Sequence, residues 1–407
     1  MLRWVLLFLF VVIAELYAYQ AFKTITKSHW FLAGYITVSV FVDIFVIYQF
    51  TQFDRSVGQT KLTLLTLGLL LVTFLPKLVV TLVLFTEDVV RIMIGIGRWT
   101  SGTPQDFFIE RRKFVSAIAL GIAAVPFFSL AYGMIRGKYD FRVIKQPLEF
   151  DDLPDAFDGL TITHISDIHS GSFDNREKIR YAIDLINSQQ SDLVLFTGDI
   201  VNSKASEMHP WIDVFKEIHA PRFGKYSILG NHDYGEYLKW PSENHKRENF
   251  EAIKDLHRQI DFKLLMNEHV VLESNGQKIA VVGVENWGHN FKKVGDLDKA
   301  AQGLTADDFK ILLSHDPSHW EYQVKDHSSH FQLTLSGHTH GMQFGIEVPG
   351  LKWSPVQYVY KQWAGLYENL GRYIYVNRGF GFHAYPGRVG IWPEITVLEL
   401  KKRVNNA

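Results

Sequence analysis

Histidine and aspartate gather into five short motifs in the last two-thirds of the chain. They are Asp167-Ile168-His169, Gly198-Asp199, Gly230-Asn231-His232-Asp233, Ser314-His315 and Gly337-His338-Thr339-His340. Together they offer about eight oxygen and nitrogen ligands and no sulfur, the complement that two adjacent transition-metal ions need. Carboxylates mixed with imidazoles suit Mn, Fe, Zn or Co better than Ca or Mg. Asp199 is a natural bridging ligand, since one carboxylate can join two cations. Asn231 adds a neutral oxygen, and His315, His338 and His340 add nitrogens. Two ions about 3.5–4 Å apart generate hydroxide at neutral pH and clamp the attacking and leaving oxygens of a phosphate. His232, followed by Asp233, fits a general acid or transition-state stabiliser oriented by a carboxylate, so the two form the expected catalytic pair.

Residues so far apart in sequence need a scaffold that brings loop ends together. Apolar runs of strand length end at each motif: residues 160–165, 193–197, 226–229, 311–313 and 331–335. Further runs occupy 279–284, 373–376 and 395–400, and helical patterns fill 175–189 and 208–218. Strands alternating with helices indicate an α/β domain, and ligands just past strand ends converge on one rim of a sheet. In Asp167-Ile168-His169 the two ligands sit two apart, a spacing that shares a face in extended chain. The glycines at 198, 230, 337 and 341 permit tight turns beside the site.

In this order the motifs resemble those of the calcineurin-like metallophosphoesterases: Asp-x-His, Gly-Asp, Gly-Asn-His-Asp, His and Gly-His-x-His. The resemblance covers the chain from about 140 to 400. It implies a four-layer αββα sandwich of two mixed sheets flanked by helices. It also implies one metal held by Asp167, His169, Asp199 and His340, another held by Asp199, Asn231, His315 and His338, and His232 on the substrate side. Leu153-Pro154-Asp155-Ala156-Phe157-Asp158-Gly159, Asn377-Arg378-Gly379-Phe380-Gly381 and Pro393-Glu394-Ile395 are similar to the membrane-associated, YkuE-like bacterial branch. Met342 departs from that branch, which typically carries a second glycine there.

The first 135 residues have a different composition. Four apolar stretches, 2–22, 30–50, 62–85 and 114–134, match the roughly 20 residues a bilayer-spanning helix requires. They make a four-helix transmembrane region ahead of a catalytic domain over 136–407. A cleaved signal peptide does not account for the first stretch, which lacks a small-residue cleavage site and is followed by three more. Residues 89–99 alternate apolar residues with Arg91 and Arg98, the pattern of an interfacial helix. Glu15, Asp43 and Lys77 lie within or near the spans, and an Asp43–Lys77 pair is one reading of them. Basic residues are equal in number on the two expected faces. Arg3 and the group Arg136, Lys138, Arg142 and Lys145 favour a cytoplasmic catalytic domain on a bacterial inner membrane.

A net charge of −1 gives no basic field to attract nucleic acid, and none is expected as a partner. The absence of cysteine excludes disulfides, thiolate metal sites and thiol nucleophiles. Residues 234–247 read as a lid or as a surface loop. Residues 342–367 carry Phe344, Val348, Leu351, Trp353, Tyr358 and Trp363, which suit either core packing or contact with a bilayer. Arg378 and Arg388 suit bidentate contact with substrate phosphate or structural ion pairs. The expected function is hydrolysis of a phosphodiester or pyrophosphate bond in a lipid-linked substrate. A nucleotide or small-molecule phosphohydrolase and a non-catalytic metal-binding sensor are the alternatives.

Overall fold

Ligands from distant motifs meet only if their strands run parallel and end on one edge, and the chain builds two sheets of that kind. The computed structural model describes residues 2–101, 109–219 and 221–403. The chain divides into two units, Met1–Phe53 with Leu62–Ile135, and Asp54–Lys61 with Arg136–Ala407.

The first unit consists of helices α1 (Leu2–Ile25), α2 (His29–Thr51), α3 (Lys61–Ser101) and α4 (Ile109–Ile135). Among the described residues three stretches, His29–Thr51, Lys61–Ser101 and Arg111–Ile135, are long and apolar enough to cross a membrane. Of the first expected span, 2–22, the side chains of residues 2–8 lie outside the described residues. Ser28 caps α2 by accepting a hydrogen bond from the Phe31 N–H at 3.3 Å. Small residues Ala21, Ala119 and Ala123 pack with Val80 and Leu84, as close-approaching membrane helices require. The expected interfacial helix over 89–99 is not separate, because no breaker interrupts it, and it continues α3. With 41 residues, α3 is about 60 Å long, twice the hydrocarbon thickness. Lys77 pairs with Glu15 as well as lying 3.6 Å from Asp43, and Ser39 donates to Glu15 at 2.9 Å. Lys77 thus lies between two carboxylates and pairs with both.

In the second unit the first sheet holds β1 (Arg142–Phe150), β2 (Leu160–Ile165), β3 (Leu193–Phe196), β4 (Lys225–Ser227), β5 (Lys263–Leu264) and, inserted between β1 and β2, a late strand. The other sheet holds β6 (Glu268–Ser274), β7 (Gln277–Gly283), β8 (Phe309–Leu313) and β9 (Leu333–Ser336), extended by two later strands. A separate hairpin is formed by β10 (Ile346–Val348) and β11 (Leu351–Trp353). The chain then supplies β12 (Gly365–Asn369) and β13 (Arg372–Val376) to the second sheet and β14 (Glu394–Lys402) to the first. The spatial orders are β1-β14-β2-β3-β4-β5 and β12-β13-β9-β8-β7-β6. Both are mixed, but β2, β3 and β4 are parallel to one another, as are β7, β8 and β9.

Side-chain alternation decides the layering. Ile279 and Val281 of β7 join Ile162, Leu193 and Leu195 in the core between the sheets. Their neighbours Ala280 and Val282 face outward, against Trp320 and Val324. On the first sheet's outer side lie α5 (Arg176–Ser188), α6 (Ile212–Lys216) and α7 (Glu243–Gln259), which bury Ile179, Ile183, Phe215, Ile253 and Leu256. The result is helix, sheet, sheet, helix. The helical pattern of 208–218 resolves into a 3-10 turn, His209–Trp211, followed by α6, with Pro210 near the turn's start. Residues 243–247 of the expected lid are the first turn of α7, capped by Ser242.

Candidate metal centre

The parallel strands deliver the motifs to one rim. Asp167 and His169 follow β2, Asp199 follows β3, Asn231 and His232 follow β4, His315 follows β8, and His338 and His340 follow β9. Cross-strand bonds fix their loops: Asp167 N–H to Gly198 O at 2.9 Å, His169 N–H to Asp199 O at 3.0 Å, and Gly337 N–H to His315 O at 2.9 Å. Asp167, His169, Asp199, His338 and His340 all have positive φ, between 47° and 69°. Left-handed backbone at a non-glycine residue costs about 1 kcal/mol or more, so the fold holds these ligands against local preference. Gly337 serves close approach instead: a Cβ there would lie 1.9 Å from Ser166 Oγ and 2.1 Å from Asp167 Oδ2. Met342, the departure from the branch pattern, adopts φ 52°, a conformation that glycine takes without cost.

Among the described residues two donor clusters with an aspartate form there, Asp167 with His169 and His340, and Asp199 with His315 and His338, and a third group, His169 with His232 and His383, has none. Asp199 Oδ2 lies 3.5 Å from His169 Nε2 and 3.2 Å from His315 Nε2, so it faces both. His340 Nε2 is 3.2 Å from Asp167 Oδ1. In the second cluster, Asn231 Oδ1 is 2.7 Å from His338 Nδ1 and 3.2 Å from His315 Nε2. The amide of Asn231 is set by its Nδ2, which donates to Tyr237 Oη at 2.6 Å and leaves Oδ1 turned inward. Three of the four imidazoles are anchored through the other nitrogen: His315 Nδ1 to Thr197 O at 2.7 Å, His169 Nδ1 to Asn202 Oδ1 at 3.1 Å, and His338 Nε2 to Tyr360 Oη at 2.8 Å. This anchoring of the far nitrogen is the usual support of a metal-binding imidazole.

The test of fit is what faces inward. His169 Nε2 and His340 Nε2 are buried and have no hydrogen-bond partner. An unpartnered buried polar atom costs about 1–3 kcal/mol, and a cation between these nitrogens and the carboxylates removes that cost. The donor set is oxygen and imidazole, with no sulfur, and so fits a transition-metal ion. Burial alone would raise the Asp199 carboxyl, but His315, His232 and His169 around it hold it well below the usual range. Burial pushes His315 down, and Asp199 more than reverses this, to about 10. Burial and the neighbouring His232 keep His169 well below the ordinary imidazole value.

His232 lies outside the two aspartate-bearing clusters but borders them: its ring meets that of His169 at 4.8 Å and its backbone N–H donates to Asp199 Oδ1 at 2.8 Å. Its Nδ1 donates to the main-chain oxygen of Asn202 at 2.8 Å, which leaves Nε2 available for a proton. Asp233 does not orient that ring. Its carboxylate accepts from the N–H groups of Gly230, Asp199 and Ile200 at 2.8, 2.9 and 3.0 Å, tying the β3 and β4 loops together. Both arginines are engaged by groups of the protein. Arg378 is buried and bonded to Glu394 at 2.5 Å and to Glu347. Arg388 is fully buried, donates to Gly381 O at 2.6 Å, and lies 3.1 Å from His340 Nδ1. The structural ion-pair reading therefore holds for Arg378, and Arg388 is a buried brace on backbone carbonyls.

Four residues outside the motifs complete the site. Asn202, Tyr237 and Tyr360 hold ligands or His232, as described. His383 stacks on His169 with ring centroids 4.9 Å apart and meets His232 edge-on at 4.5 Å. Burial, His232 and His169 all press His383 toward the neutral form. Asn202 carries a faint signal, lying just past Gly198-Asp199. Tyr237 lies four residues past Asp233 and His383 two past Gly381, whereas Tyr360 has no motif beside it.

Known proteins share this arrangement of sequence. A profile of the calcineurin-like phosphoesterases matches residues 160–342, and one described as "Probable Calcineurin-like phosphoesterase, transmembrane domain" matches residues 2–138. The "Uncharacterized metallophosphoesterase YkuE" of Bacillus subtilis is 33% identical over 301 residues, 72% of this chain and 98% of that protein. A "Transmembrane protein with metallophosphoesterase domain" of Danio rerio is 28% identical over 291 residues, 70% of this chain and 63% of that protein. Bacillus subtilis also has the metallophosphoesterase YkoQ, 25% identical over 69% of this chain and 97% of its own length.

Proposed function

The chain belongs to the calcineurin-like metallophosphoesterases and is an integral membrane, metal-dependent phosphoesterase; from that premise we propose that it works with two metal ions on phosphodiester or pyrophosphate bonds of lipid-linked substrates. The observation that carries the dinuclear part is Asp199 Oδ2, which faces a donor nitrogen of each cluster, His169 Nε2 and His315 Nε2. Asp167, His169, Asp199 and His340 would hold one ion, and Asp199, Asn231, His315 and His338 the other. When bound, two such ions supply Lewis acidity at the phosphorus and a nucleophile drawn from water at neutral pH.

The remaining work falls to this chain's own groups. His232, its Nδ1 fixed by the Asn202 carbonyl, presents Nε2 to the leaving oxygen and gives it a proton. His383 and Tyr237 flank the His232 ring, with centroids 4.5 Å from it on each count, and limit its rotation. Asp233 joins two ligand-bearing loops through backbone N–H groups and acts by position. The lipid part of the proposal is supported by the transmembrane unit upstream of the site.

The test is hydrolysis by full-length enzyme stripped with chelator and then given Mn, Fe, Zn or Co. Bis-p-nitrophenyl phosphate should be cleaved faster than the monoester with at least one metal, and Asn231→Ala should abolish turnover. Metal binding without hydrolysis of any phosphoester would instead favour a sensor.

A further inference from the structure

The β10–β11 hairpin is built inside out. Its pairs are Ile346 with Trp353, Glu347 with Lys352 and Val348 with Leu351, so alternation separates the polar pair from the apolar ones. Pro349-Gly350 closes the turn, with Gly350 at φ 83°, a geometry suited to proline followed by glycine. The polar face is the one tied down: Glu347 accepts from Arg378 Nε at 2.9 Å, and Lys352 Nζ donates to Ala364 O. The apolar face is left open, with Ile346, Val348 and Leu351 each about half exposed at 47%, 54% and 51%. Tyr358 and Val359, just beyond, are exposed as well. A hairpin on a water-facing surface has the opposite pattern, and a contiguous apolar patch marks a contact surface.

The root of the hairpin identifies the occupant. Gly345 N–H donates to Val389 O at 2.9 Å, and Val389 N–H donates to Gln343 O at 2.8 Å. The same short segment meets Gly137, where a Cβ would lie 2.3 Å from Arg388 O. Gly137 is two residues beyond Ile135, the end of α4 and of a membrane-spanning stretch. The root of the hairpin therefore packs beside a residue just past the last apolar helix in the chain. A second copy of the chain is a poor occupant, since two strands of three residues offer far less than the roughly 800 Å² per partner of a stable interface. The hairpin segment is also coupled to the metal ligands: Ser354 Oγ donates to Gly341 O at 2.8 Å, and Tyr360 Oη meets His338.

We propose that the β10–β11 hairpin docks into the lipid surface through Ile346, Val348 and Leu351 and delivers lipid-borne phosphate to the adjoining metal centre; the delivery step rests on the lipid-substrate reading above, whereas the docking step does not. The cysteine-free sequence allows a single label. Val348→Cys carries a nitrobenzoxadiazole fluorophore in full-length enzyme reconstituted in vesicles of equal parts phosphatidylglycerol and phosphatidylcholine. Lys278→Cys is the control: it is exposed and near the start of β7, away from the rim. The Val348 label should be quenched by nitroxide lipids and shielded from aqueous iodide, and the Lys278 label the reverse. Iodide access at Val348 overturns docking. Quenching between labelled copies, lost on dilution in lipid and without nitroxide quenching, overturns it in favour of self-association.

Kinetics separate delivery from docking. Val348→Asp with Leu351→Asp should raise KM about tenfold for phosphatidyl-p-nitrophenol in the same vesicles, with hydrolysis of bis-p-nitrophenyl phosphate unchanged. An unaltered vesicle KM overturns delivery. Wild-type enzyme that cleaves the soluble diester but no vesicle substrate overturns the lipid reading and leaves the label result standing.

Discussion

Asn202 touches more of the site than any residue of the five motifs outside the ligands themselves. Its side-chain oxygen meets His169 Nδ1 at 3.1 Å, its main-chain oxygen meets His232 Nδ1 at 2.8 Å, and its Nδ2 donates to Ser172 Oγ at 3.1 Å. Only the first and third are lost on truncation, so Asn202→Ala separates two roles. Metal affinity of the chelator-stripped enzyme should fall about 10–100-fold, the usual effect of removing support behind a ligand. The pH profile at saturating metal should keep its shape, because the carbonyl on His232 remains; a displaced profile would show that the side chain also sets His232. The candidate ligand positions stood out because carboxylate, amide and imidazole types recur after apolar runs. The partners of those ligands did not. A backbone carbonyl that orients His232 has no sequence signature, and Asp233, adjacent to His232 in sequence, spends its carboxylate on three N–H groups instead. The partners of Arg378 and Arg388 were hidden for a related reason: sequence gives the guanidinium, and only packing gives its direction.

Among the elements, the apolar runs 279–284 and 311–313 were readable as strands, since β7 and β8 are buried on both faces there. Strand β1 was harder to see, with exposed and half-exposed residues over its first six positions, and α7 buries only Ile253, Leu256 and His257. Least visible was the segment Asp54–Lys61, which lies between two apolar helices yet belongs to the second unit. Gln59 Nε2 donates to Ser172 Oγ at 3.2 Å, and Gln59 Oε1 accepts from Ala384 N–H at 3.2 Å. Lys204 Nζ donates to Ser56 O at 3.1 Å, and Lys239 N–H donates to Arg55 O at 3.0 Å. Ser172 leads to Asn202, and Ala384 follows His383, so this strap braces the substrate side of the centre. Gln59→Ala should lower kcat/KM for a soluble diester about fivefold, on the order of 1 kcal/mol for the hydrogen bonds lost. A chain beginning at residue 136 lacks the entire strap and should lose more. Equal activity of that truncation and the full chain would reduce the strap to a tether.

The same strap constrains the path of the whole chain through the membrane. Both Asp54–Lys61 and everything from Arg136 onward belong to the second unit, and α3 and α4 connect them. Two helices that leave one unit and return to it cross the bilayer an even number of times. By the same reasoning α2, a 23-residue apolar helix, carries its His29 end to the face opposite Arg55. Charge counting could not decide the matter because basic residues flank both faces equally, but connectivity fixes which loops go together. Single cysteines in the cysteine-free chain can report this with a membrane-impermeant maleimide. Ser56→Cys and Tyr322→Cys should label from one face, and His29→Cys from the other. In intact cells, protection of Ser56 and Tyr322 with labelling at His29 would assign the catalytic unit to the cytoplasm. The reverse pattern would place it outside and remove the weight given to the basic residues after the last span. If all three label together, α2 does not cross, and the path argued from the strap is wrong.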